Sequence, residues 1–340
     1  MIIDNSTLQG LERELTAYLM AQVEASRAKY LFPTFTSAVY FPTGTWEDLR
    51  QGEDNQIGDF ISVGSAAVVK RTPEGEALMG KIPMFGNERL MNAEELKRLS
   101  NLSSTGANKD AFAYQYAYRQ QLNIDGFYKL MEYHTFQMLA NGYITLGGKN
   151  LAEADLRYKI PTDNETGVAV IDELTYNDVI TFTRGKGITK AFASQNEIDL
   201  LGKDDQMQKQ YAMIVGGLPS GAILGLDEIN RVFEREGFKI TLVPDFIKDG
   251  SSKIALWKKG VITFVGSDRV AVIGHSETPE AIDNPQNGGV RRMLGEYSLM
   301  SVIEYQTNPY SVSNRLETFA VPILADAENT YIMDSKVKNV

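Results

Sequence analysis

The sequence predicts an α+β protein built around one long helix. Three observations carry this. An unbroken helical pattern runs from about residue 109 to 141 and stops at Gly142. Strand-like apolar runs crowd the last third of the chain, at 238–243, 253–257, 260–265, 296–306, 315–324 and 331–334. Between a leading helix and the long one, residues 34–88 form a glycine-rich, β-prone stretch with few large apolar residues for its length.

Taken in order, residues 6–29 place Leu8, Leu11, Leu15, Leu19 and Val23 at threes and fours, the spacing of an amphipathic helix with Ser6 or Thr7 as cap. Its apolar face fits either the protein's own body or a neighbouring subunit. In 34–88, strand-like pieces at 35–41, 60–69 and 78–85 alternate with polar stretches, and Thr43-Gly44-Thr45 reads as solvated. Thr72-Pro73-Glu74-Gly75 is a turn sequence that predicts a hairpin joining 66–71 to 76–82. A long hairpin without its own core must rest on something, and a second copy of the chain is one candidate.

Asn92 caps a short helix through Leu99, and 102–108 interrupts the pattern. The long helix then carries Phe127, Leu130, Met131, His134 and Met138 on one face, with Gly126 marking a bend. At 1.5 Å per residue it is about 50 Å long, which suits an elongated subunit. Strand-like runs follow at 143–146, 156–160, 168–171 and 179–183. Helices occupy 188–236, the clearest being 221–236 with Ala222, Leu226, Ile229 and Phe233 on one face, Ser220 as cap and Gly237 as stop. Residues 268–295 are loop-rich.

Catalytic readings find little material. The chain has no cysteine and two histidines, His134 and His275, far apart in sequence. His134 reads as a core or interface residue, and His275 as a loop residue after a strand. Gly274-His275-Ser276-Glu277-Thr278 starts like a nucleophile elbow, but Thr278 replaces the glycine that so tight a turn needs. The stretch from Gly142 to Asn150 misses the phosphate-loop spacing by one residue and puts Asn150 where a hydroxyl would hold magnesium. No cofactor or metal is expected.

The net charge of −10 argues against a broad phosphate-gripping face. No apolar run approaches a membrane span, and the N-terminus carries no secretory pattern, so the default is a soluble protein made in a reducing cytoplasm. The basic pairs Lys70-Arg71, Lys258-Lys259 and Arg291-Arg292 read either as solvent-facing or as contacts to acidic patches of other subunits.

Three passages carry a resemblance. The first runs from Pro83 through Asn92-Ala93-Glu94-Glu95-Leu96 to Leu139-Ala140-Asn141-Gly142-Tyr143-Ile144. The second runs from Gly266 through Gly274-His275 to Thr278-Pro279-Glu280, and the third from Thr307-Asn308-Pro309 through Val321-Pro322-Ile323-Leu324-Ala325-Asp326 to Asn329. With the order of elements, they resemble the tailed-bacteriophage major capsid proteins, and within them the lambda-type major capsid protein E family. Residues 172–260 match least well.

The resemblance implies an HK97-like capsid fold in four parts: an N-terminal arm (1–33), an extended β-hairpin loop (34–88), a peripheral domain with the spine helix (89–164 and 301–340) and an axial domain (165–300). It also implies a non-enzymatic protein that assembles as pentamers and hexamers into an icosahedral shell around double-stranded DNA. Its partners would be copies of itself, scaffold and portal proteins, and in some shells decoration proteins. It would be assembled in the host cytoplasm and end in the virion. The alternative within the same fold is an encapsulin-like cellular compartment. Candidate inter-subunit contacts are Lys70, Arg71, Glu74, Glu76 and Lys81 on the loop, and Arg291 and Arg292. No residue is marked as a covalent cross-linker.

Overall fold

The computed structural model describes residues 12–49, 77–104, 109–148, 151–217, 223–267, 269–279, 290–307 and 310–338. The long helix, here α3 (Lys109–Asn141), organises everything else. It ends where the sequence predicts, with Gly142 at φ +71° donating its N–H to the Met138 carbonyl at 2.9 Å.

The first half of α3 belongs to a core shared with the leading helix α1 (Glu12–Lys29) and a six-stranded sheet. Leu15, Leu19 and Val23 of α1 pack with Ala117, Ile124, Phe127 and Tyr128 of α3. Of the two fits open to the leading helix, its buried face takes the protein's own body. The chain then passes through β1 (Thr36–Tyr40), β2 (Thr45–Leu49), β3 (Ala77–Lys81) and β4 (Met84–Asn92) into α2 (Ala93–Ser104). Asn92 and Glu95 cap α2 reciprocally: Glu95 N–H donates to Asn92 Oδ1 at 3.0 Å, and Asn92 N–H to Glu95 Oε2 at 3.2 Å. That cap starts the helix as expected, and the helix continues five residues beyond Leu99, to Ser104.

After α3 come β5 (Tyr143–Gly148), β6 (Leu151–Arg157), β7 (Glu165–Val168), α4 (Tyr176–Thr183), β8 (Lys190–Ala193), α5 (Gln195–Lys203), α6 (Asp205–Val215) and α7 (Leu226–Phe233). The chain closes with β9 (Lys239–Leu242), β10 (Phe246–Asp249), β11 (Ser252–Ala255), β12 (Val261–Val265), β13 (Ala271–Ser276), β14 (Val290–Leu294), β15 (Leu299–Thr307), β16 (Tyr310–Leu324) and β17 (Thr330–Lys338). The six-stranded sheet runs β1-β13-β16-β15-β14, and β4 also pairs with β16. Residues 311–317 of β16 pair with both β4 and β15, so this strand is the centre of the sheet.

A five-stranded sheet, β7-β17-β12-β8-β9, lies beyond the far end of α3. Its centre, β12, is buried along its whole length. Val261 and Val265 join a second core with Phe136, Met138 and Leu139 of α3, while Ile262 and Phe264 join a third core under helices α4–α7. Both faces are covered, so the strand is continuously apolar rather than alternating.

Several expectations change. Residues 179–183 form helix α4, not a strand, because Thr175 and Asp178 build a reciprocal cap: Asp178 N–H donates to Thr175 Oγ1 at 3.2 Å and Thr175 N–H to Asp178 Oδ2 at 3.1 Å. That cap outweighs the β-branched run. The helix expected from Gly221 starts at Leu226, where Glu228 accepts the Gly225 N–H at 3.0 Å; Ser220 and Ala222 lie outside the described residues. The loop-rich stretch 268–295 contains β13 and β14, and His275 sits in β13 rather than after it. Gly126 permits a close approach: a Cβ there would stand 3.2 Å from Asn87 Nδ2 of β4. The strands of the six-stranded sheet come from segments on both sides of the expected divisions at 88 and 300, and β17 joins the sheet of the expected axial segment.

The junction of α1 with β1 is held by α3. Lys29 Nζ and Tyr30 Oη donate to Asp125 at 2.8 and 2.7 Å. Leu31 and Phe32 N–H donate to the two oxygens of buried Glu132 at 3.1 and 2.8 Å. Replacing Glu132 by Ala leaves two backbone donors unpaired, and buried orphans cost about 1–3 kcal/mol each. Glu132→Ala should lower the urea midpoint by a corresponding amount, measured by far-UV circular dichroism, with Glu94→Ala, exposed on α2, leaving it unchanged.

Candidate functional site

The near-miss motifs form no reaction centre among the described residues. Gly274 to Ser276 lie inside β13, paired with β16 through Gly274↔Val321 and Ser276↔Phe319, so the serine is a buried strand residue and not the tip of an elbow. His275 Nδ1 is 3.0 Å from Ser298 Oγ, and burial lowers the ring's pKa. The segment after Gly142 is the β5–β6 hairpin. No group of three or more acidic or histidine side chains converges as metal ligands among the described residues. No helix among them is long and apolar enough to cross a membrane.

His134 borders a cavity of about 70 Å³ lined also by Pro83, Phe85, Met131, Leu146 and Pro322. None of the residues lining it besides His134 is titratable. Its Nδ1 is buried without a hydrogen-bond partner, and desolvation pushes its pKa down to about 4. It is a core histidine at the point where β4, α3, β5 and β16 meet.

The candidate contact residues are placed unevenly. Lys70, Arg71, Glu74 and Glu76, with the expected hairpin turn, lie outside the described residues. Lys81 ends β3, exposed and opposite Thr45. Arg291 and Arg292 are adjacent in β14 and therefore face opposite sides of the sheet. Arg291 is engaged by Glu304 of the neighbouring strand at 2.7 Å, and Arg292 is exposed.

The root of the extended loop is better defined than its sequence suggests. Strands β2 and β3 pair from Thr45↔Lys81 to Leu49↔Ala77, and Trp46 is buried in the second core. Its indole lies across Gly80, where a Cβ would come within 2.4 Å of Nε1. Thr43-Gly44-Thr45, expected as solvated, is the ordered turn into this root: Gly44 has φ +64° and accepts the Ile82 N–H at 3.0 Å.

Two surface features were not anticipated. Met213, in the last turn of α6, and Ile223, shortly before α7, are 73% and 63% exposed, two apolar side chains open to solvent on the helical side of the five-stranded sheet. An open groove of about 600 Å³ runs along β7 and β17 beside the end of α3, between Glu165, Lys258, Asp334 and Lys338. Neither has a local sequence motif; a Met-Ile-Val run before Gly216-Gly217 was the only signal for the first.

No protein-family model matches the chain. No curated protein matches it by sequence. Its likeness to solved structures is extensive. A prophage capsid protein of Escherichia coli CFT073 aligns over 94% of this chain and 98% of its own, at 12% identity and a TM-score of 0.55. The chain has the HK97-like phage capsid fold. A phage-related protein of Bordetella bronchiseptica RB50 aligns at 11% identity over 94% of this chain and 96% of its own, again with a TM-score of 0.55. An encapsulin complex from Synechococcus elongatus PCC 7942 gives 8% identity, 89% and 86% coverage, and a TM-score of 0.47.

Burial of neutral His134 has a definite pH consequence. Its folded pKa lies below the ordinary value of 6.5, so the unfolded chain binds the extra proton and stability is lost as pH falls from 6.5 toward 4. The raised pKa of Glu132, caused by desolvation, acts in the opposite sense, and the lowered pKa of Asp125 matters only below its ordinary value of 3.8. Unfolding of wild type and His134→Leu, followed between pH 7 and 4, should show a shallower loss in the variant; equal slopes would remove the assignment.

Proposed function

We propose that this chain is the major capsid protein of a tailed phage. In this reading it self-assembles into pentamers and hexamers that close an icosahedral head shell around double-stranded DNA. The observation that carries the proposal is the near-complete alignment, in both directions, with a prophage capsid protein: 94% of one chain and 98% of the other. The acidic balance of the chain suits a wall that does not grip packaged DNA, since a basic lining would hold phosphates. In this reading scaffold and portal proteins are its partners, its final location is the virion, and assembly takes place in the host cytoplasm.

The parts take roles accordingly. The segment between β2 and β3 reaches a neighbouring copy from a root fixed by Trp46. The lobe carrying α4–α7 turns its apolar tip toward the axis of each ring. Near a rotation axis every residue meets its own copies, so a charged tip would face like charge, while Met213 and Ile223 would face apolar partners. Lys70, Arg71, Glu74, Glu76, Lys81 and Arg292 remain proposed contacts between copies.

Negative-stain electron microscopy of the purified protein should show shells or capsomer-sized rings; a compact monomer under every assembly condition would sink the reading. Cargo separates the two shell types, DNA for a phage head and protein for a cellular compartment. The double variant Met213→Asp/Ile223→Asp should keep the wild-type circular dichroism spectrum and lose rings, leaving single subunits in sedimentation velocity.

A further inference from the structure

Two exposed patches of opposite charge flank the two edges of the five-stranded sheet. The β10–β11 hairpin pairs Lys248 directly with Lys253, and Phe246 with Ala255. Because side chains alternate along a strand, Phe246, Lys248 and Lys253 share one face, while Asp249 and Ile247 point to the other. Lys253 Nζ lies 4.3 Å from the centre of the Phe246 ring, which is 42% exposed. Like charges placed directly opposite each other weaken a two-stranded hairpin. Neither lysine has an ion pair among the described residues. A cationic, aromatic face held together against its own repulsion is suited to an acidic, apolar partner.

Such a surface occurs beside the same sheet. In the stretch 163–173, Asp163, Glu165, Asp172 and Glu173 are exposed together with Val170 and Ile171, which are 52% and 50% exposed. Lys336 of β17 is taken up by Asp172. This stretch surrounds β7, one edge of the five-stranded sheet, and the hairpin follows β9, the other edge. The hairpin follows the C-terminal end of β9, and Val170 to Glu173 follow the C-terminal end of β7, with Glu165 at the start of that strand. Through the parallel β7–β17 and β8–β9 pairs and the antiparallel β17–β12–β8 run, the two C-terminal ends are at the same end of the sheet. Four strand spacings of about 4.8 Å separate the edges by roughly 19 Å, so one copy cannot satisfy both patches itself.

We infer that the hairpin face of one copy docks on the 163–173 stretch of the next, with Lys248 and Lys253 against Glu165 and Glu173 and Phe246 against Val170 and Ile171. Two different patches make a head-to-tail contact, and its repetition closes a ring. The charge pairs set the register and sense of the ring, and the apolar residues supply the buried area. The inference rests on the shell-forming reading and names the surfaces that join neighbours within a capsomer.

A charge swap tests it on the full chain. Lys248→Glu/Lys253→Glu and, separately, Glu165→Lys/Glu173→Lys should each raise the concentration needed for assembly by about tenfold or more at low salt. The four-fold variant carrying both changes should recover most of that loss. Wild-type particles treated with a carbodiimide, mixed from isotopically distinct subunits, should give inter-chain links joining 248 or 253 to 165 or 173. Failure of wild type to assemble at all would remove the shell reading. Normal wild-type assembly without rescue and without those links would remove this inference alone. A lysine variant that assembles normally but binds DNA less tightly would make the hairpin a phosphate contact and overturn it as well.

Discussion

The arrangement depends on one helix being solvent-free along much of its length. Helix α3 leaves the first core at Met131 and enters the second at Phe136, and three unrelated layers pack on it: α1, the six-stranded sheet and the inner face of the five-stranded sheet. Polar side chains on such a helix must find partners inside the protein. Gln120 donates to Ser301 Oγ and to the Arg315 carbonyl at 2.9 and 2.8 Å, Asn123 to the Asn314 carbonyl at 2.9 Å, and Thr263 of β12 to the Leu139 carbonyl at 2.7 Å. These bonds fix the azimuth of the helix against both sheets, a specificity that the non-directional hydrophobic effect does not supply.

The same helix explains why the leading segment lies where it does. Asp125, Lys129 and Glu132 follow the spacing of one helix face, and they receive the chain as α1 ends and β1 begins. Glu132 is the more demanding of the two carboxylates: it has no cation beside it, only two backbone donors, so burial raises its pKa. The junction is therefore held by the Lys29 and Tyr30 side chains on Asp125 and by two main-chain donors on Glu132, beside the packing of Leu15, Leu19, Val23 and Phe32 in the first core.

What could be read from the residues follows the range of the forces involved. Helix α3 and its stop at Gly142, the Asn92 cap and the Gly237 stop are local events, and their signals are contiguous in sequence. The cap of helix α4 at Thr175 and Asp178 is equally local, but the β-branched run from Val179 to Thr183 that follows it predicts a strand. Strand β13 extends through His275 and Ser276, past the expected strand end, and its length is obscured for a different reason. All six of its residues are buried, so no alternation marks it, and glycine and proline nearby imitate a loop. Of the candidate contact residues, Lys81, Arg291 and Arg292 lie among the described residues. Trp46 over Gly80, the exposed tip at Met213 and Ile223, and the lysine pair of the β10–β11 hairpin are pairings across space or matters of exposure, neither of which a linear pattern encodes.

The chain has two tryptophans, and both, Trp46 and Trp257, lie in the second core, where the loop root, the end of α3 and the five-stranded sheet converge. Trp257 donates its indole N–H to the Val261 carbonyl at 2.8 Å and packs edge-on against Phe136 at 6.1 Å. Ultraviolet emission excited at the indole band is thus a local optical gauge of that junction. A rearrangement that parts β2 and β3 from the end of α3 would open that core to water and shift the emission to the red.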